Sequence, residues 1–189
     1  VFQAAWIAGF QQNRPAAGVH DELWARTVAV RSGDTTVALV ALDFVGWFYS
    51  DAEKITAELE ARGVDVDLVM VHATHSHEGP DTLGQWGPGV GQPGVNPDHM
   101  AYVVQQAADS VEEAVDQLQP ATLFTSSIDT AAPFGDKGIL NLMRDSRDPV
   151  VIDETLNTAR FVDAEGATIA TIVNWGNHPE AMADENNLF

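Results

Sequence analysis

Leu68-Val69-Met70-Val71-His72-Ala73-Thr74-His75-Ser76-His77-Glu78-Gly79-Pro80 runs from an apolar stretch straight into a pair of histidines. Leu68 to Val71 has the length and β-branched content of a buried strand, so the imidazoles emerge where that strand ends. Residues two apart in an extended chain point to the same side, so His75 and His77 can face one spot, with His72 beyond Ala73. Two neutral imidazoles converging at a strand end make half of a zinc site. A surface loop that merely contains histidine reads the same way, and the pair alone does not separate the two.

Upstream of this strand, Ala25 to Arg31 and Thr35 to Asp43 read as strands joined by the turn Ser32-Gly33-Asp34. Ser50-Asp51 then opens a helix that runs to Arg62 and stops at Gly63. Strand, helix and strand in that order predict a parallel pair with a right-handed crossover. Downstream, Gly84 to Gly94 is a Gly-Pro loop carrying Trp86, and Pro97 begins the longest helix. Its apolar stripe is Val104, Ala107, Val111, Ala114, Val115 and Leu118. Ala121 to Ile128 reads as a strand, a polar stretch follows to Pro149, and Thr158 to Val162 with Ala167 to Trp175 reads as a second hairpin. The predicted architecture is α/β: a mixed, mainly parallel central sheet with flanking helices and edge hairpins.

The composition narrows the function classes. A length of 189 residues and an apolar share of 45% suit a single stable domain. A net charge of −19 excludes general nucleic-acid binding, because few cations are available to displace phosphate counterions. That acidity suits a salt-rich medium or a secreted bacterial protein, and a secreted or periplasmic location is the expectation. No apolar run approaches a membrane span. Without cysteine, any metal must be held by histidine, carboxylate or other oxygen ligands. With neither an initiator Met nor a leader pattern, the chain reads as a mature form or an excised piece.

Three of the predicted strands end in polar groups: Val37 to Leu42 in Asp43, Leu68 to Val71 in His75 and His77, and Ile169 to Val173 in Asn174-Trp175-Gly176-Asn177-His178. Open α/β sheets bind ligands at the carboxyl ends of their strands, so these three ends predict one site. Pro179 biases His178 toward an extended conformation that projects its ring.

Ala73-Thr74-His75-Ser76-His77-Glu78-Gly79-Pro80 resembles the Ala-Thr-His-Thr-His-Ser-Gly-Pro signature of the neutral, non-lysosomal ceramidases, zinc-dependent amidases that cut the N-acyl bond of ceramide. Asn174-Trp175 with His178 is similar to the Asn-Trp-…-His segment of that family. More loosely, Asn141 to Ser146 is similar to its Asn-Arg-Ser segment, and Ala8-Gly9-Phe10 to its Met-Gly-Tyr. Gly18-Val19-His20 through Arg26 follows in the expected order.

The resemblance implies that residues 1–189 are the N-terminal portion of a single zinc-hydrolase catalytic domain. His75 and His178 would be ligands of Zn²⁺. His77 would sit beside the metal as a catalytic contact, and Arg144 would be a polar contact to substrate. Asp43 matches an Asp at the end of the corresponding family strand and would orient groups around the ligands. Apart from the resemblance, Glu78 reads as an orienting group or a surface charge, Trp86 in its Gly-Pro loop as a substrate contact, and His20 as able to reach the rim. Glu78 and Asp81-Thr82 depart from the family pattern, which changes the expected rim of the site. The family completes its zinc sphere with a Glu and a Tyr placed after the second histidine, so the chain is expected to be an incomplete catalytic domain. The missing ligands would come from the remainder of the same protein, on this polypeptide or as a second chain.

The expected reaction is hydrolysis of a ceramide-like or other lipid amide by metal-activated water, a step of sphingolipid metabolism. A metal-dependent esterase or phosphoesterase on a polar substrate is the alternative, with the acidic rim of Glu78 and Asp81 weighing against phosphoesters. A non-catalytic domain that retains the motif is the other.

Overall fold

The computed structural model describes residues 5–130, 145, 147–178, 182 and 184–189. The chain divides into two compact units, Val1–Leu118 with Pro179–Phe189, and Gln119–His178.

The first unit is built on a three-stranded sheet in the order β1 (Ala25–Ser32), β2 (Thr35–Leu42), β3 (Leu68–Ala73). β1 and β2 form an antiparallel hairpin whose turn contains Gly33 at φ 59°, a left-handed conformation that glycine adopts without strain. The helix α1 (Tyr49–Arg62) carries the chain from β2 to β3, which run parallel. Gly63, at φ 72°, ends α1, and the amides of Gly63 and Val64 close onto the carbonyls of Glu60 and Leu59. The helix α2 (Pro97–Asp116) starts at Asn96, whose side chain accepts from the amides of Asp98 and His99.

Alternate residues of β2 are buried, and Ala38, Val40 and Leu42 pack against Ile55 and Leu59 of α1 and Val104, Ala107 and Val111 of α2. Both helices therefore cover one face of the sheet. Arg62 ties them together, donating from its guanidinium to Glu58, Asp109, Glu112 and Gln105. Those bonds hold the Glu58 carboxyl below its ordinary range, the Arg62 hydrogen bond being the largest cause.

The second unit is a three-stranded antiparallel sheet of β4 (Thr122–Asp129), β5 (Thr155–Val162) and β6 (Thr168–Asn174). The β5–β6 hairpin turns through Asp163 to Gly166 as its sequence indicates, with the Asp163 carboxylate accepting from the amides of Glu165 and Ala167. Along β4 every residue is exposed, Leu123, Phe124 and Ile128 among them.

The positions of the elements match the reading of the sequence, but the predicted mainly parallel central sheet is wrong. The described residues contain two separate three-stranded sheets, two helices and a single parallel pair, β2 with β3. Parallel neighbours need a crossover of a dozen or more residues, and only α1 provides one within a sheet. The chain leaving α2 enters β4, which pairs with β5 instead of extending the first sheet. Side-chain alternation has a period of two whichever way the partner runs, so it does not report strand direction.

His99, in the first turn of α2, lies against Phe44 and Tyr102, and burial pushes its pKa below the ordinary histidine value. The unfolded chain takes up this proton near pH 6.5 and the folded one only at a lower pH. The resulting stabilisation is present above about pH 6.5 and is lost as pH falls through the folded value. His99→Phe should therefore show a smaller loss of unfolding free energy between pH 7.5 and 5.5 than the parent, measured by urea titration.

Candidate metal centre

β3 ends at Ala73, and the amide of Thr74 still bonds to the Leu42 carbonyl, so the chain leaves the sheet beside the end of β2. His75 then takes φ 64°, a left-handed conformation that costs a non-glycine residue about 1–2 kcal/mol. The reversed backbone turns its ring back toward the segment after β2. There His75 Nδ1 lies 2.6 Å from the carbonyl oxygen of Val45. A carbonyl can only accept, so Nδ1 carries the hydrogen and Nε2 presents its lone pair. This is the arrangement in which histidines bind metals.

His77 Nε2 lies 3.4 Å from His75 Nε2. Two nitrogens each about 2.0–2.1 Å from a tetrahedral zinc stand about 3.4 Å apart, so the two rings fit neighbouring positions around one ion. The donor set, two imidazoles without thiolate, suits zinc and other borderline divalent metals alike.

Unlike exposed His75, His77 is buried, and the N-terminal segment holds it. Phe10 meets the His77 ring edge-on with centroids 4.8 Å apart. Gly9, at φ 108°, lies so close that an added Cβ would stand 2.3 Å from His77 Cγ. The short Ala8-Gly9-Phe10 motif is thus the seat of the His77 ring. Arg14, 5% exposed, donates from Nη1 to the carbonyls of Ala8 and His77, and from Nη2 to Glu78 Oε2 and the Asn186 carbonyl. Asn186 Nδ2 donates to the same Glu78 oxygen at 2.9 Å. Burial pushes the Glu78 carboxyl up, and the bonds from Asn186 and Arg14 draw it back.

Asp43 accepts from the Trp24 amide and the Arg26 guanidinium through Oδ2, and from the Thr74 hydroxyl through Oδ1. It joins the start of β1 to the residue before His75. His20 is exposed, with Nδ1 2.9 Å from the Asp21 carboxylate. The indole N–H of Trp86 donates to the Phe10 carbonyl. Its loop is anchored by Asp81, which is 2% exposed and accepts from the amides of Leu83, Gly84, Gln85, Trp86 and Gly94. The loop is therefore fastened at its base. The expected acidic rim is corrected as well: Asp81 faces inward and Glu78 is paired with Arg14, so neither presents a free charge that would repel an anionic substrate.

His178 is the last residue of the second unit and is exposed there. It lines a cleft of about 370 Å³ together with Asp145, Arg147, Ile152, Asp153 and Asn177. Arg147 donates from Nε to both oxygens of Asp145 and from Nη2 to the Val151 carbonyl, and it holds the Asp145 carboxyl well below the usual carboxylate range. Arg144 lies outside the described residues. Arg147 was passed over in the sequence, where Asp145 and Arg147 stand two apart before Pro149, a spacing suited to a local ion pair.

Two substitutions test these contacts. Gly9→Ala should displace the His77 imidazole, seen as shifted His77 ring resonances and a lower melting temperature. Unchanged resonances would exclude the contact. Asp81→Asn replaces one accepting oxygen by a donor and orphans buried amides at about 1–3 kcal/mol each, so unfolding in urea should show a loss of about 3 kcal/mol.

The model of the family described as neutral/alkaline non-lysosomal ceramidase, N-terminal, matches residues 5–189. Among solved structures, a neutral ceramidase from Pseudomonas aeruginosa is similar to this chain with a TM-score of 0.75 and 25% sequence identity. The similarity covers 98% of this chain and 31% of that one. A structure described as ceramidase complexed with C2 gives a TM-score of 0.72 at 24% identity, again over 98% of this chain and 31% of the other. No curated protein sequence matches. The chain thus spans about a third of the length of these solved relatives, and it belongs to the neutral/alkaline non-lysosomal ceramidase family, as part of its N-terminal region.

Proposed function

We propose that this chain supplies the N-terminal part of a single zinc-dependent catalytic domain that hydrolyses the N-acyl bond of a ceramide-like lipid amide. The observation that carries the reading is the His75–His77 pair. Val45 fixes the His75 tautomer, and His77 Nε2 stands 3.4 Å from the His75 Nε2 that would bind the metal, in a chain matched to this family over nearly its whole length.

In this reading His75 and His178 hold the metal through ring nitrogens, and carboxylate and phenol ligands come from a further part of the protein. When bound, zinc supplies Lewis acidity toward the acyl carbonyl and a water acidified to a pKa of about 7. His77 Nε2, held on the same side as His75 Nε2, hydrogen-bonds the oxygen on which negative charge develops, or passes the proton to the leaving amine. Gly9 and Phe10 keep that ring from rotating away. Arg147, lining the cleft that His178 lines, is the cation set to meet a substrate hydroxyl or carbonyl, and Arg144 has the same proposed role. Asp43 holds Thr74 and so the entry to the histidine turn, while Trp86 and His20 contact the lipid. A secreted or periplasmic location accords with the acidity. The case for an amide over a phosphoester rests on family membership, since the nearby carboxylates are engaged internally.

In the complete protein, His75→Ala and His178→Ala should each abolish zinc binding by elemental analysis, whereas His77→Ala should keep the metal and lower turnover at least about 100-fold. Full zinc occupancy in either of the first two variants would refute the ligand assignment, and metal loss in the third would make His77 a ligand. A panel of N-acyl, ester and phosphoester substrates separates amidase from the esterase and phosphoesterase alternatives, and inactivity on all of them with zinc bound would point to a non-catalytic domain.

A further inference from the structure

Arg14 touches no part of the proposed reaction, yet it stands behind the histidine turn. Its guanidinium is buried, and four oxygens from three segments, two of them distant in sequence, converge on it: the carbonyls of Ala8, His77 and Asn186, and the Glu78 carboxylate. Its Cζ lies 5.0 Å from the centre of the Phe10 ring, and that ring packs on the His77 imidazole. His77 is therefore held through its own carbonyl and through Phe10 by the same cation. Glu78 supplies the compensating charge and is itself braced by Asn186 Nδ2. The segment that carries Asn186 is laced to the N-terminal region, with Ala17, His20 and Asp21 amides donating to the carbonyls of Asn187 and Phe189. A planar fork is needed to bridge acceptors spread in this way, and a lysine ammonium could not reach them together.

We propose that Arg14, clamped by Glu78 and Asn186, is a positioning residue of the metal centre. Through the His77 carbonyl and the Glu78 carboxylate it fixes the backbone turn that carries His75, so metal affinity and ligand geometry depend on a side chain that meets neither metal nor substrate. The proposal rests on the metal-centre reading of the preceding section. Residues that support metal ligands from behind typically change metal affinity about 10–100-fold when removed.

The test uses the complete protein, with zinc affinity measured by chelator competition and ligand geometry by the visible spectrum of the cobalt-substituted form. Glu78→Ala and Arg14→Lys should weaken zinc binding at least about 10-fold and shift the cobalt bands. Glu78→Gln, which keeps an oxygen acceptor for Arg14 and Asn186, should recover most of both. Asn186→Ala removes one brace without leaving a lone buried charge, and should give a smaller loss in the same direction if Arg14→Lys fails to fold. Unchanged zinc affinity and cobalt spectrum in folded Glu78→Ala and Asn186→Ala would overturn the proposal, provided that His75→Ala loses zinc. Zinc retained by His75→Ala would instead overturn the metal-centre reading itself, and the proposal with it.

Discussion

Burial of Ala38, Val40 and Leu42 against two helices is the constraint on which the first unit depends. A slip of one residue in β2 would turn these side chains outward and expose the apolar face, so the register is strongly held. That register pairs Leu42 with Ala73 and brings the ends of β2 and β3 side by side. The segment after β2 contributes Asp43 and the Val45 carbonyl, and the segment after β3 contributes Thr74 and His75. The local strain in His75 is sustained because the sheet beneath it cannot shift to relieve it.

Scarce cations take on structural work in this acidic chain. Nine Lys and Arg residues face 28 Asp and Glu, and two arginines each gather several partners. Arg62 joins α1 to α2 at the surface, where each pair is screened by solvent and contributes modestly. Arg14 works in the interior, where an unpaired charge would be costly, and there each acceptor is close and specific. Asp81 is the anionic counterpart, organising the 83–94 loop through backbone amides instead of a cation. The departures of Glu78 and Asp81 from the family pattern thus find internal partners, which is why their charges do not define the rim.

Much of this was legible in the chain itself. The hairpin, both helices and the strand before the histidines follow from periodicity, from Gly33 and Gly63 as stops, and from Pro97 as a helix start. His75 and His77 stood out because two imidazoles follow a strand. What escaped notice depends on distant partners. Arg14 is one arginine in a polar N-terminal stretch, and nothing near it announces contacts with His77 and Asn186. Nothing near Arg147 marks it either, since lining the cleft beside His178 is a property of the folded second unit.

The sequence by itself determined where the elements lie, which residues can bind a metal and which family the motifs resemble, since propensity, periodicity and motif spacing are local properties. Only the tertiary structure decided that β4 leaves the first sheet, that His75 carries its hydrogen on Nδ1, and that Arg14 and Asp81 face inward. Each of these turns on which backbone or side-chain group meets another across many residues, and a hydrogen bond or a buried charge is defined by its partner, wherever in the chain that partner lies.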